Sequence, residues 1–424
     1  MFKLRLRVCA PSAVAIALAS SFALGACGRA GYTAPPAPVF TSGSRALPGG
    51  GPAQPVAGVA SAATIAPADV AADLEPGAPV ADDAGWSVAG MLSGDDAGQV
   101  LPNFSGWAAF DAALSRRLVP ADWAAGVAVM VDGQVVHAAA YGERAPGDPA
   151  EPTDRFRVAS ISKTITAIVA MQLVEEGVLT LDGPVGATIA GYVGVIPTDP
   201  DVADLTLRQM LSHTSGFPQA EGTFFGGGAA SCAAAAAGAF ARSLPAVAGY
   251  QYSNMNYCAV GLLFEALTGM PYERVVHDRL LEPLGIDGMR LTSTYENGPD
   301  EVLHYPSPNR NFMEALGAAG AWNATPTDLV KILNSIDPAT PGWKALSPES
   351  MLAMRPAATG GYGLGLIGFS AGWGHTGTIQ NTHAMALAQP DGVTWAVAVS
   401  GEYPGESSSL ASIVAAALAE AFPS

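Results

Sequence analysis

The chain has 424 residues, 49% of them apolar and 13% charged, enough apolar material for a sizeable core and more length than one average domain needs. Its 20 lysines and arginines against 37 acids leave a formal net charge of −17. With no basic stripe to neutralise phosphates, a nucleic-acid partner is excluded, and so is a polybasic membrane patch beyond the N-terminus.

Lys3, Arg5 and Arg7 precede the apolar run "VCAPSAVAIALASSFALGAC", which reads as a secretory leader over residues 1–26 rather than a permanent span. Its end, "LGAC", resembles a bacterial lipobox. By that resemblance Cys27 is lipidated and the protein is a cell-envelope lipoprotein; ordinary cleavage after "ALGA" would give a soluble secreted protein instead. Residues 27–103 are rich in Ala, Pro and Gly without periodicity, so they are expected to form a disordered tether. Two cysteines then remain, Cys232 and Cys258. In an exported protein such a pair is either one disulfide or two separate buried thiols.

The folded domain is expected over 104–424. "FSGWAAFDAALSRRLV" has helical spacing, and "GVAVMVDGQVVHAAAYG" holds two short runs around Asp132-Gly133, a hairpin signal. "ISKTITAIVAMQLVEEG" is apolar on most faces and closed by Gly177, which predicts a helix buried in mid-domain. Residues 205–290 read mostly as helices, with "MNYCAVGLLFEALTG" and "YERVVHDRLLEPLG" each ending in Gly. From 361 the pattern returns to strands, turning at Asp391-Gly392, and a helix over "SSLASIVAAALAEAF" follows. Hairpins early and late with helices between them predict an α+β fold: an antiparallel sheet flanked by helices, with a mainly helical subdomain inserted mid-chain.

The chain has four lysines, and Lys163 alone lies three residues after a serine, Ser160. A serine hydroxyl needs a neighbouring base to act as a nucleophile, and residues three apart on a helix share a face. The alternative is plain: Ser160 caps the helix and Lys163 reaches solvent. The helix offers no obvious wet face for a lysine, which favours the first reading. Tyr-x-Asn occurs at Tyr252/Asn254 and at Tyr295/Asn297. Only the first precedes a long apolar helix, where a phenol beside a lysine could carry a proton to a leaving group; the second lies in a turn-rich stretch and reads as chance. In "GHTGT", Gly377 would let substrate approach the backbone, and the N–H of Thr378 could join that of Ser160 in an oxyanion hole. His375 and Thr376 would then face the bound substrate. Read otherwise, the segment is a polar edge strand.

Taken in order, "TDRFRVASISKTITA", "LTLRQMLSHTSGFP", "YSNMNYCAVGLLFEALTG", "AAGAWNATPTDLVKIL" and "YGLGL…GHTGT" resemble the motifs of the penicillin-recognising serine hydrolases. These are the class C β-lactamase-like enzymes, the low-molecular-weight penicillin-binding proteins and their esterase relatives. The resemblance covers roughly residues 104–424. It implies Ser160 as acylated nucleophile, Lys163 as its base, Tyr252 as proton shuttle, Asn254 as ligand of the substrate amide, and His375, Thr376, Gly377 and Thr378 lining the site. His213, in "SHTSG", belongs to a motif that looks structural. "HTGT", where many β-lactamases carry "KTG", is similar to the D-alanyl-D-alanine carboxypeptidase branch and also to the D-aminopeptidases. That branch is expected to carry an arginine soon after "YGLGL", and here Ile367 follows, which leaves room for an esterase.

No His-x-x-x-His or Cys-x-x-Cys spacing and no Walker-type loop occurs, so no metal or cofactor is expected. The expectation is therefore an envelope-tethered serine hydrolase acting on peptidoglycan-type peptides. An esterase for small esters and a non-catalytic peptide-binding relative are the alternatives. Nothing in the sequence calls for an obligate oligomer.

Overall fold

The computed structural model describes residues 106–119, 123–245, 249–304, 312–401, 403 and 405–422. The expected leader, the Cys27 lipidation site and the tether lie outside the described residues. Helix α1 (Gly106–Leu118) leads into β1 (Ala124–Val131), β2 (Gln134–Ala145), β3 (Asp148–Pro149) and β4 (Phe156–Arg157). The helices that bear on the site are α2 (Ser162–Glu175), α3 (Cys232–Phe240), α4 (Asn254–Thr268) and, after β5 (Asn323–Ala324), α5 (Pro326–Asn334). Strands β6 (Ile367–Phe369), β7 (Gly372–Ile379), β8 (Thr382–Ala388) and β9 (Val393–Ser400) precede α6 (Leu410–Ala421).

Seven strands form one antiparallel sheet in the order β3-β2-β1-β9-β8-β7-β6, so the early hairpin and the late strands join through β1 and β9, in register from Ala124↔Ser400 to Val131↔Val393. This is the expected α+β architecture with the helical region between the two groups of strands. The β1–β2 turn is made by Asp132 (φ 47°) and Gly133 (φ 75°), the two positive φ angles of a tight hairpin. β4 and β5 pair separately.

Residue size differs between the sheet's two faces. Val127, Val129, Met385, Leu387, Trp395, Val397 and Val399 pack against Phe110 and Leu114 of α1 and Val414 and Leu418 of α6. The alternate positions carry Ala128, Ala384, Ala386, Ala396 and Ala398, which join the core of the helical region. Strand side chains alternate between faces, so "HAMALA" and "AVAV" encode one bulky and one thin face. The thin face lets α5 and the turn before α2 come close to the strands. At Gly126 a Cβ would already stand 2.8 Å from the Phe156 ring and 3.1 Å from Pro326.

Helix α2 is the centre of that core: every residue from Ser162 to Met171 is buried, as its all-round apolar sequence predicts. Helix α4 starts at Ser253, whose hydroxyl accepts from Met255 N–H, and stops at Gly269 in the left-handed conformation (φ 68°). A disulfide joins Cys232, at the start of α3, to Cys258 in α4.

Candidate active site

Ser160 is not a helix cap. It is the middle residue of a 3-10 turn (Ala159–Ile161), and α2 begins only at Ser162, with no side-chain cap at either start. The turn is strained. Ala159 has φ 48°, in the left-handed region that costs a residue with a Cβ roughly 1–2 kcal/mol. Neighbours hold it there: Val158 N–H donates to Trp322 O at 3.0 Å, Trp322 N–H to Ser162 Oγ at 3.2 Å, and Ile161 N–H to Val158 O at 3.2 Å. Ser160 itself stays half-buried, open to an incoming group.

Lys163 does not reach solvent; it is 0% exposed. Its Nζ lies 3.0 Å from Ser160 Oγ, 2.8 Å from Asn254 Oδ1 and 2.8 Å from Ala319 O. None of these three oxygens carries a formal charge. The carbonyls of Asn254 and Ala319 can only accept, so they orient two N–H bonds and leave the third direction for the serine hydroxyl. In the ammonium form that direction holds an N–H, and in the amine form a lone pair aimed at Oγ. The pair can therefore pass one proton without moving a heavy atom. Residue 319 carries no sequence signal for this role, because the partner is a backbone oxygen in a Gly/Ala turn.

The Tyr252 ring centroid lies 4.8 Å from Lys163 Nζ, so the phenol stands beside the same amine. Tyr252 and Asn254 are brought there by the segment entering α4. The second Tyr-x-Asn serves packing: Asn297 Oδ1 accepts from His304 N–H at 3.1 Å and lies 3.5 Å from Arg157 Nη2, beside the buried Arg157–Glu301 ion pair.

The strand motif divides by alternation. His375 pairs with Ala386 and Gly377 with Ala384, on the thin face beside Ser160. Thr376 pairs with Met385 and Thr378 with His383, on the opposite face, where Thr378 Oγ1 meets Ser407 Oγ at 2.7 Å. The side chains of Thr376 and Thr378 thus point away from the site, and only their backbone runs past it. Gly377 also serves the packing of the turn. The Ser160 turn approaches it closely, since a Cβ there would stand 2.1 Å from Val158 O.

His375 shares Ser160's face but is 1% exposed rather than open to substrate. Its Nδ1–H donates to Thr376 O at 2.5 Å, which leaves Nε2 as the acceptor for the Tyr362 hydroxyl at 3.1 Å. Burial, and secondarily the Lys163 charge, pushes its pKa down to about 3, so the imidazole is neutral. Where an arginine was sought after "YGLGL", Ile367 is buried in β6. Arg355 instead reaches that edge of the sheet, its guanidinium 3.1 Å over the Trp373 ring and its Nη2 donating to Ile336 O at 2.9 Å. Burial lowers its pKa to about 9.

A half-buried serine on the 3-10 turn that leads into a central helix, its hydroxyl 3.0 Å from a fully buried lysine and a phenol ring beside that lysine, defines a serine hydrolase. Comparison with known proteins makes this specific: the Beta-lactamase family model matches residues 116–420, and the chain belongs to that family. It is 30% identical over 293 residues to penicillin-binding protein 4 of Amycolatopsis lactamdurans, covering 63% of this chain and 72% of that one. It is 27% identical over 229 residues to the D-alanyl-D-alanine-carboxypeptidase/endopeptidase AmpH of Escherichia coli K12, covering 48% and 54%, so the chain spans about half of that relative's length. Among solved structures, a D-stereospecific amidohydrolase from Streptomyces sp. superposes with TM-score 0.58 at 26% identity, over 74% of this chain and 98% of that one. The D-amino acid amidase of Ochrobactrum anthropi has TM-score 0.62 at 22% identity, over 74% and 98%, a likeness of fold.

Proposed function

We propose that the protein hydrolyses amide bonds next to D-amino acid residues, of the kind found in peptidoglycan stem peptides, through an acyl-enzyme at Ser160. The observation that carries this is the Ser160–Lys163 contact at 3.0 Å, with the other two lysine contacts fixed to acceptors. Lys163 as the amine takes the Ser160 proton while Oγ attacks the substrate carbonyl carbon. The carbonyl π pair moves onto oxygen, which accepts from the N–H groups of Ser160 and Thr378. The intermediate collapses by breaking the C–N bond, and Tyr252 passes the proton to the leaving nitrogen. Water repeats the sequence on the ester and frees Ser160. Asn254, its Oδ1 committed to Lys163, has its Nδ2 to donate to a substrate carbonyl.

The substrate class rests on what the relatives are called: a penicillin-binding protein, a D-alanyl-D-alanine carboxypeptidase and a D-stereospecific amidohydrolase. A second reading, an esterase for small apolar acyl esters, is favoured by the apolar Ile367 and by the engagement of Arg355 on Trp373. A merely peptide-binding relative would have no use for the serine–lysine–tyrosine constellation. We also place the protein on the cell envelope through a lipidated Cys27, which palmitate labelling of wild type against Cys27→Ala would test; unchanged labelling removes the anchor.

The test of the catalytic reading is intact mass during exposure to benzylpenicillin, with Ser160→Ala alongside. A lasting Ser160-dependent adduct is expected of a peptidase, and a transient one of an enzyme that turns the antibiotic over. With no adduct at any time, the amide reading falls and the esterase is tested next with short-chain p-nitrophenyl esters.

A further inference from the structure

We infer that His213 is a positioning residue for Tyr252, setting the phenol's place beside Lys163 through two backbone-side bonds and one ring contact. The residue holds the Tyr252 segment from both sides. Its carbonyl accepts from Gln251 N–H at 2.8 Å, and its Nδ1 accepts from Ser253 N–H at 3.1 Å. Between these two bonds sits Tyr252, whose ring centroid lies 4.2 Å from that of the imidazole at a tilt of 34°. The other rings around the imidazole are those of Tyr362 at 4.6 Å, Tyr257 at 5.3 Å and Tyr250 at 6.2 Å.

The tautomer is fixed by a chain of bonds. Ser215 Oγ–H donates to Asn256 Oδ1 at 2.6 Å, so Asn256 turns its Nδ2 towards His213 Nδ1 at 3.0 Å. Nδ1 thus accepts two N–H groups and the proton sits on Nε2. That Nε2 is buried and has no hydrogen-bond partner among the described residues. Burial, with the Lys163 charge behind it, holds the ring neutral.

A side chain kept only to accept from Ser253 N–H would not need this ring. His213 has φ 57°, a left-handed conformation that asparagine adopts readily, and an asparagine Oδ1 could accept the same N–H. What asparagine could not supply is the flat surface against which Tyr252 lies. The imidazole is therefore accounted for by the phenol's placement, which matters only if the phenol moves a proton. The inference rests on Tyr252 as the proton carrier, as proposed above.

The experiment compares wild type, His213→Asn, Tyr252→Phe and the double variant on two probes. D-alanine p-nitroanilide has a nitrogen leaving group that needs a proton; p-nitrophenyl acetate has one that leaves without it. His213→Asn is expected to cut kcat on the anilide by about 10²-fold with KM little changed, as for a catalytic group displaced by an ångström, and to spare the ester by comparison. In the Tyr252→Phe background the same change should cost nothing more on the anilide. Equal losses on both probes, or full additivity in the double variant, would make His213 a stability residue only and overturn the inference while leaving the proposed function intact. Wild-type anilide turnover in Tyr252→Phe would instead overturn the assignment of Tyr252, and this inference with it. Ser215→Ala, which loosens the chain behind Nδ1, should give the same split between probes at smaller size if His213→Asn does not fold.

Discussion

A Cβ on Gly377 would stand 2.1 Å from Val158 O and 3.1 Å from the Ala159 Cβ. The strand and the Ser160 turn are thus in backbone contact at a position where any other residue would separate them. This contact places the strand's backbone beside Ser160, and it is supported by the strained Ala159 rather than by a side-chain bond.

Gly377→Ala should therefore push the turn off the strand. Overpacking of this kind costs about 1–3 kcal/mol, and a shift of about 1 Å in the reacting group costs about 10²-fold in rate. Thermal unfolding and the rate of benzylpenicillin acylation should fall together. An acylation rate within a factor of three of wild type, in about the error of such a measurement, would mean the strand plays no part in placing the oxyanion.

Lys163→Met tests the base. The apolar side chain fills the buried space without a charge, and acylation should fall by about 10²–10⁴-fold, the usual range for a general base. It also leaves Asn254 Oδ1 and Ala319 O without their donor, each costing about 1–3 kcal/mol where water cannot replace it. Acylation at the wild-type rate would require another base and undo the mechanism.

What was legible in the sequence follows from locality. Ser160 and Lys163 are three residues apart, and the thin and bulky faces are written in the Ala/Val alternation of β8 and β9, so short windows carry them. The resemblance to a family ordered the motifs that lie far apart. The rest depends on contacts that no window holds. Ala319 enters as a carbonyl, Ala159 takes its left-handed φ because Trp322 pins the turn, and His375 is buried because Tyr362 covers it from another element. The motif puts both His375 and Thr376 against substrate, but strand alternation forbids consecutive side chains from sharing a face, and Thr378 enters through its backbone N–H alone. Beyond this, the chain uses His213 where its sequence motif reads as structural, and the difference lies in which ring it touches.

The disulfide should stabilise both acceptors of Lys163. Cys258 lies one helical turn beyond Asn254 on α4, and a Cβ on Gly317, two residues before Ala319, would come 3.2 Å from Cys232 Cβ. With the cysteines 26 positions apart in sequence, the bridge contributes about 3–4 kcal/mol in the chain-entropy model. Cys232→Ser/Cys258→Ser, or reductant on the wild type, should lower the thermal midpoint by several degrees and slow acylation at temperatures below that midpoint. An unchanged midpoint under reductant, with thiol titration proving the bond open, would show that packing alone holds α3 to α4.

Stability should fall as the pH is lowered through a window set by buried histidines. Burial pushes the pKa of His375 from 6.5 to about 3, with the Lys163 charge acting in the same direction, and it does the same to His304, helped by the Arg157 charge. Above pH 6.5 both the folded and the unfolded chain hold these rings neutral, and their contribution is fully present. Between 6.5 and about 3 the unfolded chain takes up protons that the folded chain refuses, so the contribution is lost as the pH falls. Carboxylates held low, such as Glu314 (ordinary value 4.5) and Asp300 (3.8), act in the same sense but at more acid pH. The interval from pH 7 to 5 therefore isolates the histidines, at about 2 kcal/mol each for rings that stay neutral throughout it. Urea midpoints should drop across that interval, and His375→Gln, which keeps a side chain able to hydrogen-bond Tyr362, should remove about 2 kcal/mol of the drop. A pH dependence identical to wild type would mean that His375 takes up its proton in the folded state, and with it that the Tyr362 hydroxyl does not hold Nε2 as an acceptor.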